Sequence, residues 1–208
     1  RDVTGVQTCA LPIYVFAIAT ENGTVIEAKP SAATSAALPV GVWTSRTLNR
    51  GDVWLIRGAA DNTDLTGTQF RSVSSATGTC KPIAVFSGSQ KISLTCSSSS
   101  ASSDNLFQQC FPVAAWGRKF VSAPTAGLNY SNNVYRIMIN PDSTSTVVKV
   151  NGITLPASVP GLSPVTTPLT IGAPISISTA LYYDFVSSAP VNIETSSPVM
   201  VAQYLTKD

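Results

Sequence analysis

Apolar residues in this chain come in short runs broken by turn-forming residues, and that punctuation limits the fold more than any other feature. Runs such as Val15-Phe16-Ala17-Ile18-Ala19, Val53-Trp54-Leu55-Ile56-Arg57 and Pro82-Ile83-Ala84-Val85-Phe86 alternate with clusters of Gly, Pro, Asn and Ser. No stretch of about 11 residues or more holds a 3.6-residue amphipathic period. Ser and Thr supply 50 of the 208 residues, and such residues favour turns and strands over helix interiors. The predicted class is all-β.

Within that class the order strand, turn, strand, Gly turn, strand, Pro-led strand occurs twice. The first copy runs from Val15 through Asn22-Gly23, Val53 to Arg57, and Pro82 to Phe86. The second runs from Tyr135 through Asp142, Leu169-Thr170-Ile171-Gly172, Ile175-Ser176-Ile177, and Pro198 to Tyr204. The pattern predicts two related antiparallel β-sandwich-like units packed together, over residues 14–125 and 126–208. Hairpins are expected at Glu21-Asn22-Gly23-Thr24 and at Asn151-Gly152, because Asn-Gly supplies the positive φ angles of a type I′ turn. Residues 30–39 and 156–168 are predicted loops. The best helix candidate is residues 103–110, where Ser103 or Asp104 would cap two turns.

Residues 2–13, Asp-Val-Thr-Gly-Val-Gln-Thr-Cys-Ala-Leu-Pro-Ile, resemble the translation of a short-read sequencing adapter, so residues 1–13 are set aside as a non-native segment. Native sequence is then expected from Tyr14, as a fragment of a larger protein. Cys9 drops out, leaving Cys80, Cys96 and Cys110. If Gly88 centres a hairpin loop at Ser87-Gly88-Ser89, Cys80 and Cys96 face each other at a separation a disulfide accepts. Such a bridge implies an oxidising compartment; the alternative is buried thiols in a cytosolic chain.

The chain has no His and a net charge of +2. Ser-His-Asp and Cys-His nucleophiles, HExxH zinc sites and a His general base are therefore excluded. Dispersed Lys and Arg form no basic stripe for nucleic acid, and no apolar run approaches the roughly 20 residues of a membrane-spanning helix. No cofactor or metal is called for. A glycosidase would need two facing carboxylates. The candidates are Glu21, Glu27, Asp52, Asp61, Asp64, Asp104, Asp142, Asp184, Glu194 and Asp208, most of them beside turn residues. Asp61-Asn62-Thr63-Asp64-Leu65-Thr66-Gly67-Thr68 lacks the ligand spacing and closing Glu of an EF-hand, so a capped turn is expected. Asn22-Gly23-Thr24 and Asn129-Tyr130-Ser131 are formal glycosylation sequons. In Trp116-Gly117-Arg118-Lys119-Phe120, an exposed Trp beside Arg118 and Lys119 would anchor a partner. A Trp starting a strand and packed under Gly117 is the structural alternative.

An ordered series of motifs resembles the IgGFc-binding family. It runs through Asp64-Leu65-Thr66-Gly67-Thr68, Lys81 to Gly88, Asp104-Asn105-Leu106-Phe107-Gln108-Gln109, Pro112 to Val121 (with Trp116-Gly117), Tyr135-Arg136-Ile137 and Ser197 to Tyr204. The resemblance covers nearly all of residues 14–205 and implies a secreted or surface-exposed domain. Animal members are mucus-associated, and bacterial relatives carry further adhesive modules. An adapter-bearing read points to environmental DNA and so to the bacterial form. Ser89 and Asn105 stand where the family often has His, so no His-dependent role carries over.

Together these features predict an extracellular or cell-surface, non-catalytic binding or adhesion module with a protein or glycan ligand and further domains in the same chain. The competing classes are a carbohydrate-active enzyme using a carboxylate pair and a structural spacer.

Overall fold

A computed structural model describes residues 6–7, 13–60, 63–74, 78–92, 104–125, 133–140, 142–143, 146–155 and 181–205. The expectations for Cys9, Asp61, Asn62, Cys96, Asn129 to Ser131, residues 156–168, Leu169 to Gly172, Ile175 to Ile177 and Asp208 lie outside these residues. The chain is all-β, with several antiparallel sheets. Its strands are β1 (Val6–Gln7), β2 (Tyr14–Ala19), β3 (Thr24–Lys29), β4 (Thr44–Leu48), β5 (Val53–Arg57), β6 (Gln69–Val73) and β7 (Ile83–Ile92). There follow β8 (Asp104–Gln109), β9 (Gly117–Ser122), β10 (Asn133–Ile139), β11 (Val148–Val150), β12 (Ile153–Thr154), β13 (Leu181–Ser187) and β14 (Val191–Leu205). No helix among the described residues is long and apolar enough to cross a membrane.

Two compact units divide the chain, the first built on β1 to β8 and the second on β9 to β14. The first holds two four-stranded sheets, ordered β1-β6-β3-β4 and β5-β2-β7-β8. Side chains alternate across a strand, so β2 turns Val15, Ala17 and Ala19 inward while β3 buries Thr24, Ile26 and Ala28. Trp54 of β5 meets Phe70 of β6 across the core, edge to face, with ring centroids 6.2 Å apart. Val6 and Gln7, in the segment set aside above, pair with Phe70 and Gln69.

Three local expectations give way here. The Asn22-Gly23 turn joins strands of different sheets and is a corner, not a hairpin. Gly23 has its positive φ of 68°, but Asn22 and Asn49 tie this turn to the neighbouring corner between β4 and β5: Arg50 N–H donates to Asn22 Oδ1 and Gly23 N–H to Asn49 Oδ1, at 3.0 and 3.3 Å. Residues 104–109 form strand β8, not a helix, because they pair with β7 and place Phe107 on Phe86. Ser87-Gly88-Ser89 lies inside the uninterrupted strand β7, with Gly88 opposite Tyr14. The hairpin that would have set Cys80 against Cys96 is therefore absent.

In the second unit β14 pairs with β10 and β11 on one side and β9 on the other, and β13 pairs with β10. Gly117–Ser122, upstream of residue 126, thus belong to this unit's sheet. The Asn151-Gly152 hairpin forms as expected, with φ of 49° and 82° and Val150 opposite Ile153. One face of the sheet gathers Tyr135, Ile137, Ile139, Val148, Val150 and Ile193 into a core cluster. The other face is also buried and carries Arg136, whose guanidinium grips Asp184 through two bonds of 2.8 and 2.7 Å. Lys119 and Glu194, by contrast, meet at 3.9 Å in solvent. Removing one partner of a buried pair strands the other charge. Asp184→Asn is expected to lower the unfolding free energy by about 3–5 kcal/mol, and Glu194→Gln by no more than about 1 kcal/mol, both read from urea denaturation.

Candidate functional site

The outward side of the β5-β2-β7-β8 sheet is apolar. Register places Phe16 between Leu55 and Phe86, and Ile18 between Val53 and Ala84. Phe16 and Phe86 stack with centroids 5.3 Å apart, and Phe86 and Phe107 with 5.4 Å. A three-ring row thus crosses β2, β7 and β8. Val53, Leu55 and Phe107 are 54 %, 57 % and 57 % exposed. Tyr14 continues the face opposite Gly88. A Cβ on Gly88 would lie 2.5 Å from Leu106 O and 2.7 Å from the Tyr14 hydroxyl. Close approach, not a turn, is what demands glycine there. Exposed Arg57 and Gln109 stand at the margins. The face can bind by burying apolar area.

Two of the motifs reach this face, one through Phe86 and Gly88 and the other through Phe107 and Gln109, and the other residues singled out by motif serve different elements. Asp64 Oδ1 accepts from Thr66 N–H at 2.8 Å, Gly67 takes a φ of 88°, and Leu65 and Thr66 are buried. Thr68 Oγ1 bonds Ser31 through both its N–H and its hydroxyl, at 3.2 and 3.1 Å. This segment is a capped turn anchored to the core. Asp104 opens β8, and Gln109 closes it, exposed. Trp116 is only 9 % exposed and so does not present the surface anchor that the sequence allowed. The ring of Phe120 lies where a Gly117 Cβ would be, 2.9 Å away. Arg118 and Lys119 are exposed. Cys110 is buried, its thiol donating to Ser87 Oγ at 3.4 Å, and Cys80 is half-buried.

The carboxylates of Glu27, Asp52, Asp184 and Glu194 belong to separate elements. Glu27 pairs with Arg71 at 2.6 Å, Asp52 Oδ2 accepts from Asn49 N–H at 2.8 Å, and Asp184 is held by Arg136. Glu194 lies between Lys119 and Lys149 across three strands, in an open cleft of about 340 Å³ with Val147, Thr195 and Ser196. No group of three or more His, Cys, Asp or Glu that could hold a metal occurs among the described residues.

Residues 7–208 match the family described as IgGFc binding protein. The chain belongs to that family. No curated protein and no solved structure matches it. The family is one of binding domains, and the match starts within the first thirteen residues and takes in both units.

Motif reading missed the aromatic face of this IgGFc-binding domain. The available signal was apolar residues at both parities of β2, β5 and β7, which marks strands apolar on both sides. Gly88→Ala forces the Leu106 backbone to move and is expected to cost about 1–3 kcal/mol. Leu55→Asp, at an exposed site, should change stability by no more than about 0.5 kcal/mol. Paired urea titrations check both.

Proposed function

We propose that this chain is an extracellular, non-catalytic binding module, and that its ligand is a protein seated on the outward face of the β5-β2-β7-β8 sheet. The observation that carries the proposal is the stacked row Phe16, Phe86 and Phe107, flanked by exposed Leu55 and Val53. Apolar exposure gathered on one sheet face marks an interaction site. An apolar centre with Arg57 and Gln109 at its margin has the layout of a protein interface. A glycan would need hydrogen-bonding groups spread through the centre, and the described residues there are the rings of Phe16, Phe86 and Phe107 with Leu55 beside them.

Family membership supports the binding role, and the family's description names an immunoglobulin Fc as a ligand within it. Glu27, Asp184 and Glu194 each face a cation, and Asp52 and Asp64 each accept a backbone hydrogen bond in a turn, which speaks against the enzyme alternative. The apolar face speaks against a passive spacer.

A panel of extracellular proteins, immunoglobulin Fc among them, each in glycosylated and deglycosylated form, tests the proposal beside a glycan array. Binding to at least one protein should survive deglycosylation and fall about tenfold or more in Leu55→Asp. Array hits that Leu55→Asp leaves intact would overturn it.

A further inference from the structure

We infer that the module captures its ligand by strand addition: an extended peptide segment with apolar side chains at alternate positions pairs with the outer edge of β8 and lays those side chains beside Phe107. This rests on the proposed binding role of the aromatic face and names the chemistry of the occupant.

β8 ends the sheet order β5-β2-β7-β8 among the described residues. Cys110 N–H donates to Val85 O at 2.9 Å, and a Cβ on Gly88 would meet Leu106 O. Backbone groups in an antiparallel strand point alternately to one neighbour and the other. Leu106 and Gln108 therefore face β7 with Cys110, while Phe107 and Gln109 direct their N–H and C=O groups away from it. Exposed edges in natural sheets are blunted by charge, proline, bulges, shortness or a covering segment. The other described edges use such devices. β1 and β12 have two residues each, β4 carries Arg46, and β9 carries Arg118 and Lys119. Along β5, Ser35 N–H bonds Arg57 O at 2.9 Å and Thr34 bridges Gly58. On β13 the side chains from Asp184 to Ser187 are buried. From Leu106 to Gln109, β8 has no Lys, Arg, Pro or Gly.

The edge and the face coincide at one residue. Phe107 offers its outward backbone groups and also ends the ring row, so a strand paired there continues the apolar face. Main-chain bonds would supply affinity and the alternate apolar side chains selectivity. The ligand segment is thus extended, free of proline at the pairing positions, apolar on one side and polar on the other.

The test pans linear peptides of about twelve residues on the whole chain and measures the consensus peptide, dye-labelled, by fluorescence anisotropy. Apolar alternation is expected in the selected sequences. Gln109→Pro removes an outward N–H at an edge position and should weaken binding by about tenfold. On the wild-type chain, N-methylation of peptide amides of one parity should abolish binding, and of the other parity leave it within about twofold. That second measurement decides the matter if Gln109→Pro does not fold. Indifference to methylation at both parities overturns strand addition. If binding is then still lost in Phe107→Ser, the face remains the binding site by another mode. If neither variant affects binding, both proposals fall. A self-association that Gln109→Pro abolishes, with no peptide selected, would make a second copy the occupant and overturn the one proposed.

Discussion

Strand β2 constrains the first unit more tightly than any other element, because it is apolar on both faces and hydrogen-bonded on both edges. Its period of two sends Val15, Ala17 and Ala19 into the core and Phe16 and Ile18 out. A slip of one residue would exchange the two sets entirely. Register is pinned at both ends. Gly51 N–H donates to Ala19 O and Ala19 N–H to Asp52 O, at 2.9 and 3.1 Å. Near the other end Gly58 N–H donates to Ile13 O and Ile13 N–H to Gly88 O, at 2.8 and 3.1 Å. The inward alanines are small because Trp54 and Phe70 fill the space between the sheets. Core composition and the position of Phe16 are therefore set by one register.

The second unit fixes its register differently, with charge. Arg136 and Asp184 stand directly opposite on β10 and β13, almost wholly buried, and the guanidinium also lies 4.0 Å from the centre of the Tyr182 ring. A buried ion pair is weak evidence for stability, since desolvation offsets much of the attraction. Its stronger effect is on alternatives: any other β10–β13 register separates the partners and leaves a charge unneutralised in a low-dielectric interior. The apolar cluster around Ile137 and Ile193 on the opposite face would tolerate such a shift far better, because aliphatic contacts are non-directional.

Much of this was legible in the residues. The all-β class, the bounds of β5 and the type I′ turn at Asn151-Gly152 follow from turn chemistry and short apolar runs. The failures share a cause, which is that local signals do not say which strand a segment will meet. Asn22-Gly23 has the positive φ of a hairpin turn, yet that conformation also serves a corner between sheets, and the side-chain amides of Asn22 and Asn49 hold it there. Gly88 has the look of a loop centre, while its lack of a Cβ is needed for Tyr14 and Leu106. The weak helical pattern of residues 103–110 lost to ring stacking with β7, a tertiary contact that propensity does not register. The candidate site was the least legible part. Phe16, Phe86 and Phe107 are far apart in sequence, and only the pairing order brings them into one row.

That pairing order also sets how rigid the proposed binding face is. Phe16 and Phe86 sit on the two central strands of their sheet, each flanked along the chain by residues buried in the core: Val15 and Ala17, Val85 and Ser87. Side chains so seated have little freedom left to lose, and the ring contacts restrict them further. Association costs ordering entropy for every mobile side chain it immobilises. A face whose rings are already stacked avoids most of that cost, and the cost that remains falls on the partner. A loop-borne site would divide it the other way. On the proposed binding role, such a rigid apolar face beside an edge left open among the described residues favours a partner segment that arrives flexible and becomes ordered on contact, since the sheet supplies the template for its conformation.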